Sequence, residues 1–228
     1  MKWLSWEEIP KKMQNNAVKE YYEILNKKIF QLRLKRYFDV IVSLSLIVLL
    51  SPLMFIIAFM IKLTSPGPII FRQIRVTQYG RKFYILKFRT MVENAQQLGT
   101  QVTTKGDQRI TKVGRILRKY RLDELPQLFN IYAGDMTFVG TRPEVPKYVE
   151  EYTEEMLATL LLPAGVTSMA SIKYKDEECL LNVAEDVDIT YVEKVLPNKM
   201  KWNLKSIKNF TIKNELKVLF NTIIAVIQ

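Results

Sequence analysis

Between Val40 and Ile61 the chain reads VIVSLSLIVLLSPLMFIIAFMI without a charged residue, a run as long as the roughly 20 residues that cross a bilayer core. It predicts one membrane helix over residues 38–63. Basic residues crowd both flanks: Lys27, Lys28, Arg33, Lys35 and Arg36 precede it, and Lys62, Arg72, Arg75, Arg81 and Lys82 follow. Positive flanks favour the cytoplasmic side, so both ends are expected there. At Ser51-Pro52 the proline lacks an amide and crowds the preceding turn, which predicts a sharp bend, with the serine placed to rescue the freed carbonyl. A re-entrant helix fits both observations, and a kinked single-pass helix and a soluble core helix are the alternatives these residues leave open. A cleaved secretory signal does not fit, because a long charged stretch precedes the run and no small-residue cleavage pattern follows it.

Elsewhere the pattern is that of a water-exposed domain. Residues 1–37 interleave Trp3, Trp6, Tyr21, Tyr22, Ile24, Leu25, Ile29 and Leu32 with Lys and Glu, which predicts an amphipathic helical extension with an interfacial or packing role. Breakers at Thr64-Ser65-Pro66-Gly67-Pro68 open the domain of residues 64–228. Ile69 to Met91 then reads as two short strands around Tyr79-Gly80. Gln108 to Phe129 turns helical and basic, and Pro163 to Thr167 marks a loop. The apolar run Leu219 to Ile227 is too short to span a bilayer and predicts a helix lying in the interface or docked on the domain. The expected fold class is α+β and mainly helical, with a re-entrant membrane helix, amphipathic interfacial helices and a small β-hairpin.

Composition narrows the chemistry. The 228 residues carry a formal charge of +11, which suits nucleic acid or an anionic membrane surface equally. They contain no histidine, so the commonest general base, triad partner and zinc ligand are all missing. Catalysis is left to carboxylates, Lys, Arg, Ser or Tyr, and a metal ion, if used, would be a hard cation such as Mg²⁺ on oxygen ligands. The single cysteine, Cys179, excludes an intramolecular disulfide and a Cys-rich zinc site, and reads as an inert, partly buried thiol in a reducing compartment.

Adjacent carboxylates at Asp123 and Glu124 stand immediately after the basic run Arg109, Lys112, Arg115, Arg118, Lys119 and Arg121. Pro126 is tolerated in the first turn of a helix, which predicts Asp123 at a helix start, its carboxyl lowered further by Arg118 and Arg121. An ionised aspartate so placed is a candidate nucleophile on phosphorus. A plain N-cap aspartate with a solvated glutamate is the bland alternative. Phosphoryl transfer also needs cations on the phosphate oxygens, and Lys87 and Arg89 in KFRTM, Arg118, and Arg142 in GTRP are the candidates.

The strings KRYFDVIVSLSLIVLLSPLMFIIAFMIKLTSPGPIIFRQIRVTQYGRKFYILKFRTM, LRKYRLDELPQLFNIYAGDMTFVGTRPE and PAGVTSMA, covering most of residues 35–170, resemble the bacterial sugar transferases of the monotopic phosphoglycosyl transferase family. That resemblance implies that Asp123 is the covalent nucleophile, that Glu124 is associated with Mg²⁺, with Asp123 beside the ion, and that Ser51-Pro52 breaks a re-entrant helix. It implies substrate binding by Lys87, Arg118 and Arg142, with Pro143 adjacent. The implied substrates are a UDP-sugar and undecaprenyl phosphate, with UMP released, as the first membrane step of exopolysaccharide or lipopolysaccharide assembly. The enzyme is expected at the bacterial inner membrane with its catalytic domain on the cytoplasmic face, in contact with membrane lipid and without nucleic acid; a homo-oligomer is left open. The chain departs from the family at Thr141 in GTRP, at Ser168, and through Ser171-Ile172-Lys173-Tyr174-Lys175-Asp176, where Lys173 or Lys175 would replace the family's arginine. Other readings of the same residues are a basic membrane adaptor without enzymatic activity and a different aspartyl-phosphate phosphotransferase.

Overall fold

A computed structural model describes residues 2–95, 107–174 and 186–227. Cys179 and Lys175 lie outside them. After two 3-10 turns, α1 (Asn16–Asn26) leads into α2 (Ile29–Thr64), then the hairpin β1 (Ile70–Val76) and β2 (Lys82–Phe88). Next come α3 (Lys112–Lys119), α4 (Gln127–Ala133), β3 (Met136–Val139), α5 (Pro146–Glu150), β4 (Ala164–Thr167) and α6 (Met169–Lys173). The chain ends with α7 (Val187–Thr190), a π turn (Tyr191–Val195), α8 (Leu196–Lys208) and α9 (Ile212–Ile227).

The apolar run forms the middle of α2, a 36-residue helix that continues through Pro52. Pro52 removes the amide that the Val48 carbonyl would have accepted, and the Ser51 hydroxyl donates to that carbonyl at 2.8 Å. The expected rescue is therefore made, and the helical turns persist across the proline. At 1.5 Å per residue the helix is roughly 54 Å long, well beyond a bilayer core. It also starts within the expected N-terminal extension.

One face of α2 lies on the rest of the molecule. Lys35, Asp39 and Ser43, four residues apart, are buried on that face, followed by Ile57 and Ile61. Lys35 pairs with Glu215 and donates to the Val139 carbonyl; Asp39 accepts from the Thr137 hydroxyl and the Phe138 amide. Arg36 donates to the carbonyls of Ile131 and Tyr132 at 2.6 and 2.8 Å, where a cation suits the free carbonyls ending α4. At the far end Arg89 holds the carbonyl and hydroxyl of Ser65. Both ends of α2 are thus fastened to one body. The opposite face leaves Tyr37, Ile41, Val48, Leu49, Phe55, Phe59 and Leu63 exposed, and α9 adds exposed Leu216, Phe220 and Ile223.

Packing is the role of the N-terminal stretch: Ile9, Met13, Val18, Tyr21, Tyr22 and Leu25 are buried in one core with Tyr148, Leu161, Leu196 and Met200. The hairpin forms where expected, pairing Ile70 with Phe88 and Val76 with Lys82 around a turn in which Tyr79 and Gly80 have positive φ. Two expectations change. Ala164–Thr167 is not a loop but a strand paired parallel to β3, Met136 opposite Ala164 and Val139 opposite Thr167; four residues with a glycine are too short to carry a readable alternation. The helix expected across 108–129 is split, because Arg121 adopts a left-handed conformation that ends α3 and turns the chain into a short 3-10 helix, Leu122–Glu124.

Candidate active site

The two carboxylates sit in that 3-10 turn, ahead of Pro126, which caps α4. Asp123 is therefore not at the start of the α-helix as the proline predicted, and its side chain caps nothing. It is 6% exposed, and its Oδ1 is buried without a hydrogen-bond partner. Burial pushes its carboxyl above the usual range; the charge of Lys87 pulls it down, Glu124 pushes it up, and Arg118 and Arg121 pull it down. The expected lowering by the arginines is outweighed because desolvation penalises the anion more than these charges relieve it.

Glu124 has the opposite surroundings. Its Oε1 accepts from Lys87 Nζ at 3.0 Å and from Arg142 Nη2 at 2.6 Å, and Arg142 Nη1 lies 3.4 Å from Oε2. Burial alone would raise its pKa, but Arg142 and Lys87 together hold it well below the ordinary carboxylate range. It is not a solvated neighbour of the aspartate. Lys87 extends from β2, and Arg142 follows β3, so the hairpin and the parallel pair deliver the two cations from opposite sides of the sequence.

Asp123, Glu124, Lys87 and Arg142 are thus brought together, with the charges of Arg118 and Arg121 acting on Asp123. Arg89 is buried at Ser65, where α2 ends, and donates there to the Ser65 carbonyl and hydroxyl rather than to either carboxylate. Pro143 offers its carbonyl to Arg75 Nη1 at 3.0 Å. Lys173 lies over the indole of Trp202, 4.6 Å from the ring centroid. Two residues that sequence reasoning missed are Arg75 and Glu144, which flank Arg142 in space; the position of Glu144 directly after GTRP was the only signal for either.

Among the described residues no three acidic, histidine or cysteine side chains gather, so protein ligands alone do not enclose a metal ion there. The oxygens with spare capacity are Asp123 Oδ1 and Glu124 Oε2. Two carboxylates without histidine fit a hard cation that takes its remaining ligands from phosphate and water.

The profile of the family described as bacterial sugar transferase matches residues 30–228. The chain is 37% identical over 193 residues to UDP-N-acetylgalactosamine-undecaprenyl-phosphate N-acetylgalactosaminephosphotransferase of Aeromonas hydrophila, covering 83% of this chain and 43% of that protein. It is 35% identical over 193 residues to UDP-glucose:undecaprenyl-phosphate glucose-1-phosphate transferase of Klebsiella pneumoniae, covering 83% and 39%. It is 31% identical over 226 residues to undecaprenyl-phosphate galactose phosphotransferase of Salmonella typhimurium, covering 92% and 42%. The chain spans about two fifths of the length of these relatives.

Proposed function

Because the chain belongs to the bacterial sugar transferase family, we propose that it moves a sugar phosphate from a UDP-sugar to undecaprenyl phosphate, with Asp123 carrying the phosphosugar between the two. The observation that carries this reading is the unpartnered, buried oxygen of Asp123 beside a glutamate clamped by two cations. A carboxylate kept free of donors retains its lone pairs for attack, whereas one saturated by hydrogen bonds does not.

In the first half-reaction an Asp123 carboxylate oxygen attacks the phosphorus that bears the sugar. A new P–O bond forms, the bond to the bridging oxygen breaks, and UMP leaves with that oxygen and its electron pair. In the second, a phosphate oxygen of undecaprenyl phosphate attacks the same phosphorus, releasing the aspartate and leaving a polyprenyl diphosphosugar. Lys87 and Arg142 lie where they can exchange Glu124 for the non-bridging oxygens of the diphosphate, and Arg118 adds charge nearby. Asp123 and Glu124 would hold Mg²⁺, which supplies positive charge to offset the diphosphate.

The long apolar face of α2 supports attachment to the bacterial inner membrane, with undecaprenyl phosphate reached from the lipid. Fastening of both ends of α2 to one body supports entry and exit on the cytoplasmic face, as a re-entrant segment. Transfer of label from a panel of UDP-sugars to undecaprenyl phosphate tests the reading. Formation of a lipid-linked phosphosugar with at least one donor, abolished in Asp123→Asn, is expected; no transfer from any donor contradicts it.

A further inference from the structure

Arg142 lies in residues 140–145, a segment between β3 and α5 with neither helix nor strand, so tertiary contacts must fix its position. Those contacts converge on Glu144, a carboxylate only 6% exposed. The Tyr191 hydroxyl donates to Glu144 Oε1 at 2.6 Å, and Lys199 Nζ lies 3.8 Å from that oxygen and 3.3 Å from the Tyr191 hydroxyl. On the other side Arg75 Nη1 lies 4.0 Å from Glu144 Oε2 and donates to the Pro143 carbonyl at 3.0 Å. The Gln73 side chain fixes Arg75 in turn, through bonds of 3.0 and 2.7 Å to Nε and Nη2. The Glu144 carbonyl is held by the Val76 amide at 3.0 Å.

The backbone just beyond Arg142 is therefore pinned on one side to β1 and on the other to Tyr191. Tyr191 opens the π turn between α7 and α8, and such wide turns recur at functional sites. Its ring packs on Tyr148, 4.7 Å between centroids, and Tyr148 donates to Asp188 of α7 at 2.6 Å. The C-terminal helices thus reach the catalytic segment through the buried Tyr191 phenol and, beside it, Lys199 of α8.

We infer that Glu144 is a positioning residue for Arg142 and that Tyr191 holds it there, so that the turn between α7 and α8 sets the geometry of the phosphate clamp. The inference rests on the transferase reading above for its catalytic consequence. It does not rest on it for the clamp itself: a guanidinium held about an ångström out of place binds a diphosphate less well whatever the chemistry.

A double-mutant cycle tests the inference, because residues that act through one another give non-additive losses. Tyr191→Phe keeps the ring and removes only the hydroxyl, which donates to Glu144 and accepts from Lys199. It is expected to lower kcat/KM for UMP release about tenfold. In an Arg142→Lys background the same change is expected to lower it by less than about twofold. Equal fold-losses in the two backgrounds overturn the positioning role and leave Tyr191 a general packing residue. A second readout needs no turnover: affinity for inorganic pyrophosphate by calorimetry is expected to weaken about tenfold in Tyr191→Phe and by less than about twofold further once Arg142 is Lys. Pyrophosphate affinity equal in the wild type and Tyr191→Phe overturns the inference. Absence of UMP release from the wild type with every UDP-sugar sinks the transferase reading alone, and the pyrophosphate measurement then decides the clamp.

Discussion

Arg142 closes on Glu124 through both terminal nitrogens, at 2.6 and 3.4 Å, while Asp123, one residue earlier, keeps an oxygen with no partner. Adjacent carboxylates in one 3-10 turn are thereby given opposite titration behaviour. Each has a consequence that stability measurements read.

Glu124 contributes stability when ionised. Its folded pKa is held below its ordinary value of 4.5 despite burial, because Arg142 and Lys87 favour the anion. That stability is present above the unfolded pKa and is lost as pH falls through the folded one. Glu124→Gln is expected to cost about 3 kcal/mol at pH 7, since it leaves two half-buried cations without their anion. Urea unfolding should show the gap between wild type and variant narrowing below about pH 4.5 as Glu124 protonates in the wild type.

Asp123 has the reverse sign. Burial raises its folded pKa above 3.8, so its contribution is fully favourable below the unfolded pKa and is lost as pH rises through the folded one. At pH 7 the ionised form is therefore a strain on the fold. Asp123→Asn is expected to melt at a higher temperature than the wild type at pH 7 and to lose that advantage at acid pH, while transfer falls by at least about a thousandfold. A variant that is both inactive and less stable at neutral pH would count against a desolvated nucleophile.

Gly165 of β4 packs directly on Gly140, where Arg142's segment begins. A Cβ at Gly165 would lie 2.2 Å from the Gly140 amide nitrogen and 2.3 Å from its carbonyl oxygen, backbone atoms that cannot swing aside. Gly165→Ala is expected to cost about 2–3 kcal/mol and to depress activity by displacing the clamp. Gly80→Ala meets nothing within 4 Å and bears only the strain of its φ of +76°, so it is expected to cost about 1–2 kcal/mol with transfer intact. Thermal melts and initial rates on the pair distinguish the two sites.

The topology of α2 is readable by labelling. With Cys179 replaced by Ser, single cysteines at Lys27 and Arg72, both exposed, flank the helix. Membrane-impermeant maleimide is expected to reach both only in inverted vesicles or opened cells. Labelling of one position from outside intact cells would make α2 a single-pass span.

Local pattern carried a large part of this architecture. The apolar run, the hairpin around Tyr79-Gly80 and the serine that serves the carbonyl freed by Pro52 were all legible, because each depends on residues within a few positions of one another. The site's electrostatics were not. Glu124 meets Lys87 across 37 positions and Arg142 across 18, and Glu144 meets Tyr191 across 47, distances over which periodicity carries no information. Burial likewise reversed the expected pKa of Asp123, since nearby arginines are visible in a sequence and desolvation is not. The stripe Lys35, Asp39 and Ser43 inside an apolar helix could have been noticed from its four-residue spacing as a docking face. Lys173, one of the two lysines offered in place of the family's arginine, lies on Trp202, a contact that required α6 and α8 to be neighbours.

The central claim is that Asp123 becomes covalently loaded before the lipid acceptor binds. Incubation with a UDP-sugar carrying labelled phosphate beside the sugar, without undecaprenyl phosphate, tests it through intact-protein mass and peptide mapping. The account predicts a phosphosugar adduct on Asp123, UMP released in equal amount, and neither in Asp123→Asn. UMP formed only when undecaprenyl phosphate is present, with the protein mass unchanged at every time point, would contradict it.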